Sequence, residues 1–275
     1  MLDCPIIKLS NGVEIPQFGL GVFRSEPGEE TAKAVEWALE AGYRHIDTAA
    51  GYRNEQDVAA GLKASGLKRE EVFITSKLST RDIEAENGYA GTMASLEKLD
   101  TDYIDLYLLH WPITNFEKAW EVINKFYADG KIRAIGLSNF QVHHVQKIID
   151  MGLAMPVVDQ IELHPGFQEK ELKPFVLSKG MFVEAWSPLG GQSHLFLDHP
   201  AIVAIANKYG KTGAQVIIRW HLQSGNIVIP KSVKQNRIVE NSQVFDFALS
   251  DEDMAAINAI DTNERSYGNP FRWDV

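Results

Sequence analysis

One cysteine, Cys4, in 275 residues leaves nothing from which an intrachain disulfide could form. Basic residues are the minority, 27 Lys and Arg against 37 Asp and Glu. The resulting charge of −10 and pI near 5.3 argue against nucleic acid or an anionic membrane as a partner. No apolar run approaches the length of a membrane span, and the Met1-Leu2-Asp3 start has neither a basic n-region nor an apolar h-region, so a reducing cytoplasm is the expected location. No Gly-x-Gly-x-x-Gly follows an early strand, which speaks against a doubly wound nucleotide-binding sheet. No Gly/Ser linker, low-complexity stretch or short tandem repeat interrupts the chain.

What is present is a regular alternation. Hydrophobic residues make up 45% of the chain, enough for a large core, and the length suits one domain over 1–275. Two alternating runs around Asn11-Gly12 predict a type I′ hairpin that plugs the floor of whatever follows. Strands are then expected at Gln17 to Val22, through His45-Ile46-Asp47, and at Val72 to Lys77, Tyr103 to His110, Ile132 to Ser138, Pro156 to Leu163, Met181 to Trp186 and Asn226 to Lys231. Helical periodicity separates them, for example at Val35, Ala38 and Leu39, from about Glu55 to Ala64, Ala85 to Leu99, and Phe116 to Ala128, where Asp129-Gly130 ends the helix. Two helical patterns, Pro200 to Tyr209 and Thr212 to Gln223, precede the last strand. Two more, Arg237 to Asn241 and Asp251 to Ile260, follow it. The reading is α/β: a (β/α)8 TIM barrel with an N-terminal β-hairpin and extra helices late in the chain.

If these strands are parallel, three successive carboxyl ends carry Asp47 with Tyr52, Lys77 and His110, and that end of a barrel is where active sites lie. Singly, each has a plainer reading: Asp47 a cap, Lys77 a solvated strand end, His110 a satisfied core histidine, Tyr52 a rim aromatic. Their convergence favours chemistry.

Gly42-Tyr43-Arg44-His45-Ile46-Asp47-Thr48-Ala49, the run Asp105 to Pro112, Gly136-Leu137-Ser138-Asn139-Phe140, Gln160-Ile161-Glu162-Leu163-His164-Pro165 and Ile229-Pro230-Lys231-Ser232 with Arg237-Ile238-Val239-Glu240-Asn241 occur in one order along the chain. Together they resemble the aldo-keto reductases. The short length and Trp186-Ser187-Pro188-Leu189-Gly190 resemble the prokaryotic-type branch that includes 2,5-diketo-D-gluconate reductases.

The resemblance implies NADPH-dependent reduction of aldehydes or ketones, with Asp47, Tyr52, Lys77 and His110 as a catalytic tetrad. Tyr52 would be the general acid. Lys77 would bring its pKa towards the working range, Asp47 would keep Lys77 charged, and His110 would orient the carbonyl. Ser138, Asn139 and Gln160 would hold the nicotinamide carboxamide and Trp186, with Ser187 and Leu189, would flank the ring. Lys231, Ser232 and Arg237 would take the phosphates, the 2′-phosphate of NADP included, and Glu240 and Asn241 would reach the adenine. Lys234 reads as a solvated basic residue.

Phe23, His110, Trp111 and Trp273 are expected around the substrate. Many relatives carry an aromatic residue where Ser79 stands, so the pocket is expected to be wider there. Substrates remain open among sugar-derived diketones, methylglyoxal-like aldehydes and aromatic aldehydes. We expect a monomer acting on a small molecule, with no metal. Two other classes stay in view: a cofactor-binding interaction protein on the same fold, and a metal-assisted hydrolase using His45, Asp47 and His110.

Overall fold

A computed structural model describes residues 2–191 and 196–267. It opens with an antiparallel hairpin of β1 (Ile6–Lys8) and β2 (Glu14–Pro16), Ile7 opposite Ile15. The turn is not the expected type I′. Gly12 N–H donates to Leu9 O and Leu9 N–H to Val13 O, and of the Asn-Gly pair only Gly12 has positive φ, 88°. This is a three-residue loop, a type I turn closed by a glycine bulge, which needs one left-handed residue where type I′ needs two.

Eight strands follow, each parallel to and paired with the next in chain order: β3 (Leu20–Gly21), β4 (His45–Asp47), β5 (Phe73–Leu78), β6 (Ile104–Leu109), β7 (Ile132–Ser138), β8 (Val158–Glu162), β9 (Phe182–Trp186) and β10 (Ile227–Val228). The sheet curls until its edges meet. Phe18 bridges Val228 and Gly21 bridges Lys231, with Gly19 N–H donating to Val228 O and Gly21 N–H to Pro230 O. The strand expected over Gln17 to Val22 shrinks to two residues at this seam. Glycine is required there: a Cβ on Gly21 would sit 2.8 Å from the Ile229 carbonyl oxygen, and one on Gly19 2.8 Å from the His45 ring. Below them Gln17 Nε2 donates to the carbonyls of Leu222 and Asn226, tying the start of the barrel to its end.

The helices α1 (Glu29–Glu40), α2 (Glu55–Ser65), α3 (Thr80–Glu84), α4 (Gly88–Lys98), α5 (Phe116–Ala128), α6 (Val142–Asp150) and α7 (Leu172–Ser178) fill the connections through β9. The helix expected over Ala85 to Leu99 is α4, starting at Gly88, and α3 is a further short helix just before it that was not expected. Ser79 Oγ caps α3 by accepting from Asp82 N–H, Glu86 takes φ 57°, and α4 starts afresh. α8 (Pro200–Tyr209) and α9 (Gly213–Gln223) precede β10, and α10 (Gln235–Ser242) and α11 (Asp251–Asn258) follow it. Among the described residues no helix is long and apolar enough to cross a membrane.

Successive strand residues alternate between the helix layer and the barrel interior. At the amino-terminal end the interior is apolar: Leu9 and Ile15 of the hairpin pack with Phe73, Leu106, Leu108, Val158 and Ile227, so the hairpin is the floor plug that the sequence led us to expect. The outward face carries one misfit. Asp159 is fully buried and neither carboxylate oxygen has a hydrogen-bond partner. Burial, then the charge of Glu169, push its pKa well above the usual carboxylate range, and the Phe140 backbone amide, too poorly placed to make a hydrogen bond, opposes this only weakly.

Between the unfolded-state pKa near ~3.9 and the folded one, the native state binds the extra proton, so stability falls as pH rises through that window. Asp159→Asn removes the titration. Its unfolding free energy is expected to exceed that of the wild type by about 1–3 kcal/mol at neutral pH and by little at pH 4. Denaturant melts at the two pH values measure this; an equal difference at both would locate the effect elsewhere.

Candidate active site

β4 ends at Asp47, and the chain then folds into a 3-10 turn, Ala50–Tyr52, closed by Arg53 at φ 61°. That turn places Tyr52 on the rim beside the ends of β5 and β6. Lys77 reaches under it from β5, fully buried. Its Nζ donates to Asp47 Oδ1, Asp47 Oδ2 and the Thr48 carbonyl, each at 2.8 Å, and lies 5.0 Å from the centre of the Tyr52 ring. Three oxygens match the three donors of an ammonium. The Tyr52 ring meets His110 edge-on at 5.6 Å between centroids. Tyr52, His110 and Asp47 all line one cavity of about 690 Å³.

Burial lowers the pKa of Lys77, but Asp47 and then Tyr52 more than offset it and hold it above its usual value. Burial raises Asp47, against Lys77 and Gln160. Burial therefore opposes both charges, and the oxygen-filled surroundings of Nζ lead us to write the pair as ionised. Tyr52 departs from expectation. The Lys77 charge does pull its pKa down, yet burial outweighs it and the phenol is pushed up to about 12. His110 goes to about 3, through burial and then the nearby Lys77, so its imidazole is neutral.

The ends of the next strands are tied together. Ser138 Oγ donates to the Gln160 carbonyl, Asn139 Nδ2 donates to the His110 carbonyl and to Ser138 Oγ, and Trp186 Nε1 donates to Asn139 Oδ1 at 2.9 Å. Asn139 holds φ 66° to make these contacts, a conformation asparagine tolerates better than most residues. The Trp186 ring is thus fixed in orientation. Gln160 Nε2 donates to Asp47 Oδ2 at 2.7 Å and to Glu184 Oε2 at 2.9 Å, so of its amide only Oε1 remains for a ligand.

Of the other residues singled out from the sequence, Phe23, Trp111, Ser138, Asn139, Gln160, Trp186, Ser187, Leu189, Lys231, Ser232 and Arg237 all line the same cavity. Lys234 does too, while staying exposed to solvent as expected. With Lys231 and Arg237 it forms an arc of three cations, none in an ion pair with a carboxylate among the described residues. Glu240 and Asn241 stand further along α10 and are not among the lining residues; Asn241 is buried. Ser79 donates to Asp82 Oδ2 at 2.6 Å as part of its cap, leaving Thr80 to form the wall at that place. Trp273 lies outside the described residues.

Tyr267 was not foreseen. It lines the cavity with its ring against Trp186 and Phe23, and its backbone is held by Glu162, which accepts from the Ser266 and Tyr267 amides. His45 faces Thr75 Oγ1 at 3.0 Å and Glu184 instead of the cavity, so the hydrolase trio of His45, Asp47 and His110 does not converge. No group of three or more His, Cys, Asp or Glu among the described residues could hold a metal ion.

Comparison with known proteins points to one family. A model of the aldo/keto reductase family matches residues 17–262. The chain is 50% identical to glyoxal reductase of Bacillus subtilis over 266 residues, 96% of this chain and 95% of that protein. It is 44% identical over 273 residues to the methylglyoxal reductase DkgA of Escherichia coli, covering 98% of each. Among solved structures, an aldo/keto reductase from Brucella melitensis superposes with a TM-score of 0.91 at 43% identity, over 95% of this chain and 99% of that one. An aldo-keto reductase of Bombyx mori in complex with NADP does so at 0.91 and 35%, over 100% and 98%.

Proposed function

Because the chain belongs to the aldo/keto reductase family, we propose that it reduces small aldehydes and ketones to alcohols with NADPH, dicarbonyls of the glyoxal and methylglyoxal type among them. The observation that carries this is a cavity phenol backed by a buried ammonium–carboxylate pair, with a neutral imidazole beside it. NADPH, when bound, supplies the hydride.

Its fit rests on groups left unused. Among the described residues Ser187 Oγ is buried without a partner, Gln160 Oε1 is free of its own amide network, and Lys231, Lys234 and Arg237 ring the cavity without counter-ions in a chain of charge −10. Arg237 and Lys231 would take the phosphates. Asn139, Gln160 and Ser187 would take the amide end, against the fixed face of Trp186.

The chain's own chemistry is then acid catalysis with charge support. As negative charge builds on the carbonyl oxygen, Tyr52 gives it the phenolic proton. A phenol at about 12 stays protonated at working pH. It still transfers downhill to an alkoxide, whose conjugate acid is about as weak as water at ~15.7. Lys77 balances the phenolate left behind, Asp47 holds Lys77 in place, and neutral His110 donates a hydrogen bond to the same oxygen. Phe23, Trp111 and Tyr267 give the walls an apolar character.

The test follows NADPH consumption by the purified protein with glyoxal, methylglyoxal and a bulky aromatic ketone. Turnover of the dicarbonyls with the higher kcat/KM is the expected result. NADPH binding, seen by Trp fluorescence, without turnover of any carbonyl would favour the interaction-protein reading.

A further inference from the structure

The barrel interior one layer below Tyr52 is polar, and one of its members has no part in the mechanism above. Glu184 is completely buried on β9, pointing into the barrel on the same side of the strand as Trp186. Its Oε2 accepts from Gln160 Nε2 at 2.9 Å, and the same Gln160 nitrogen donates to Asp47 Oδ2 at 2.7 Å. Its Oε1 has no hydrogen-bond partner and stands 3.5 Å from His45 Nε2. Glu184, Gln160, Asp47 and Lys77 therefore form one unbroken hydrogen-bonded chain from the middle of the barrel to the ammonium beneath the phenol.

The groups that face Glu184 decide its charge. β4 brings His45 and Asp47, β5 brings Lys77 and the hydroxyl of Thr75, β8 brings the neutral amide of Gln160, and β10 pairs with it through apolar Ile227. The single cation is already spent on Asp47. Burial takes His45 to about 3, so it contributes no second positive charge. An ionised Glu184 would leave the dry cluster with one uncompensated negative charge, which a low-dielectric interior disfavours strongly. Burial, followed by the Asp47 charge, moves Glu184 up to about 8, and a proton on Oε1 answers its lack of a partner.

We propose that Glu184 is a positioning residue for carbonyl reduction, a neutral carboxylic acid that preserves the field of Lys77 at Tyr52, and that losing its proton makes Tyr52 a poorer acid. The sign follows from charge alone. A carboxylate below the pair screens the ammonium and repels the phenolate that forms when Tyr52 gives up its proton, and Glu184 is among the charges that raise Tyr52. The negative charge that must collect around the carbonyl oxygen is then less well stabilised. Reduction should decline on the alkaline side at a pH set by Glu184, well before Tyr52 itself ionises.

This rests on the reductase reading, and the experiment separates the two. The pH profile of kcat/KM for methylglyoxal is recorded at saturating NADPH for the wild type and Glu184→Gln, together with the dissociation constant of NADPH. The amide keeps an acceptor for Gln160 and cannot ionise. In the wild type kcat/KM is expected to fall about tenfold between pH 7 and pH 9, as for one titrating group. In the variant it should stay within about twofold over that span, with NADPH affinity unchanged. A purely structural role would lower activity at every pH and leave the shape alone. Should Glu184→Gln not fold, Glu184→Met, of similar length and also uncharged, carries the same comparison. An alkaline limb that coincides in wild type and variant, or its absence from the wild type, overturns the proposal. A wild type that turns over no carbonyl at any pH instead removes the reductase reading.

Discussion

Tyr52→Phe is expected to lose at least ~10²-fold in kcat for carbonyl reduction, the scale of a removed general acid, while binding NADPH as the wild type does and melting at a similar temperature. The ring contacts to Phe23 and His110 survive the substitution, and only the hydroxyl goes. Nothing nearby replaces it. Lys77 has its three donors committed to Asp47 and Thr48, and His110 is neutral, too weak an acid in that form to yield its remaining N–H proton. Single-turnover rates with saturating NADPH would read the chemical step directly. Near wild-type rates in a folded Tyr52→Phe would sink the mechanism. Lys77→Met should be similarly inactive but less clean, because it strands Asp47 inside the barrel, and breaking a buried pair costs about 3–5 kcal/mol.

Arg237→Ala is expected to weaken NADPH by about ten- to a hundred-fold, the value of one charge-assisted hydrogen bond, and to leave NADH within a few-fold. The two cofactors differ only in the 2′-phosphate, so a selective loss identifies the residue that touches it. Arg237 stands in the first turn of α10, at the rim of the cavity and clear of any carboxylate partner among the described residues. Lys231→Ala and Lys234→Ala should act in the same direction with less selectivity, since an ammonium is a point charge without the guanidinium fork. Dissociation constants by fluorescence quenching at one fixed ionic strength measure this, because exposed charge contacts weaken with salt. Equal weakening of both cofactors by Arg237→Ala would move the 2′-phosphate contact elsewhere.

The sequence carried the parts of this site that depend on one strand at a time. Asp47, Lys77 and His110 close apolar runs, and such runs announce both the strand and its end. The arc around Lys231 and Arg237 stood out because its charge opposes that of the whole chain. What stayed hidden depends on side chains that meet across the barrel. Glu184 reads as one polar residue in Phe182-Val183-Glu184-Ala185-Trp186, and nothing in that stretch says that an amide from β8 will join it to a carboxylate from β4.

The Trp186–Asn139 hydrogen bond was out of reach for the same reason. The capping role of Ser79 was hidden because a serine three residues before Asp82 shows as a cap only once the helix it starts is known. The push on Tyr52 was misread because the sequence shows the neighbouring cation but not the amount of protein packed behind the phenol.

The seam of the barrel also fixes an order in time. Gln17 and Asn226 are 209 positions apart, and their contact, with the Gly19 and Gly21 bonds beside it, joins the first strand to the last. Pairings this distant in the chain carry the largest loop-closure cost and form late. β4, β5 and β6 can pair as neighbours as soon as residue 110 has been made, whereas Lys231 and Arg237 reach their places only when almost the whole polypeptide exists. In order of synthesis Asp47, Tyr52, Lys77 and His110 are complete more than a hundred residues before Lys231 and Arg237. Lys231 and Arg237 arrive with the stave that shuts the cylinder, so Asp47, Tyr52, Lys77 and His110 are all made before the cavity wall opposite them.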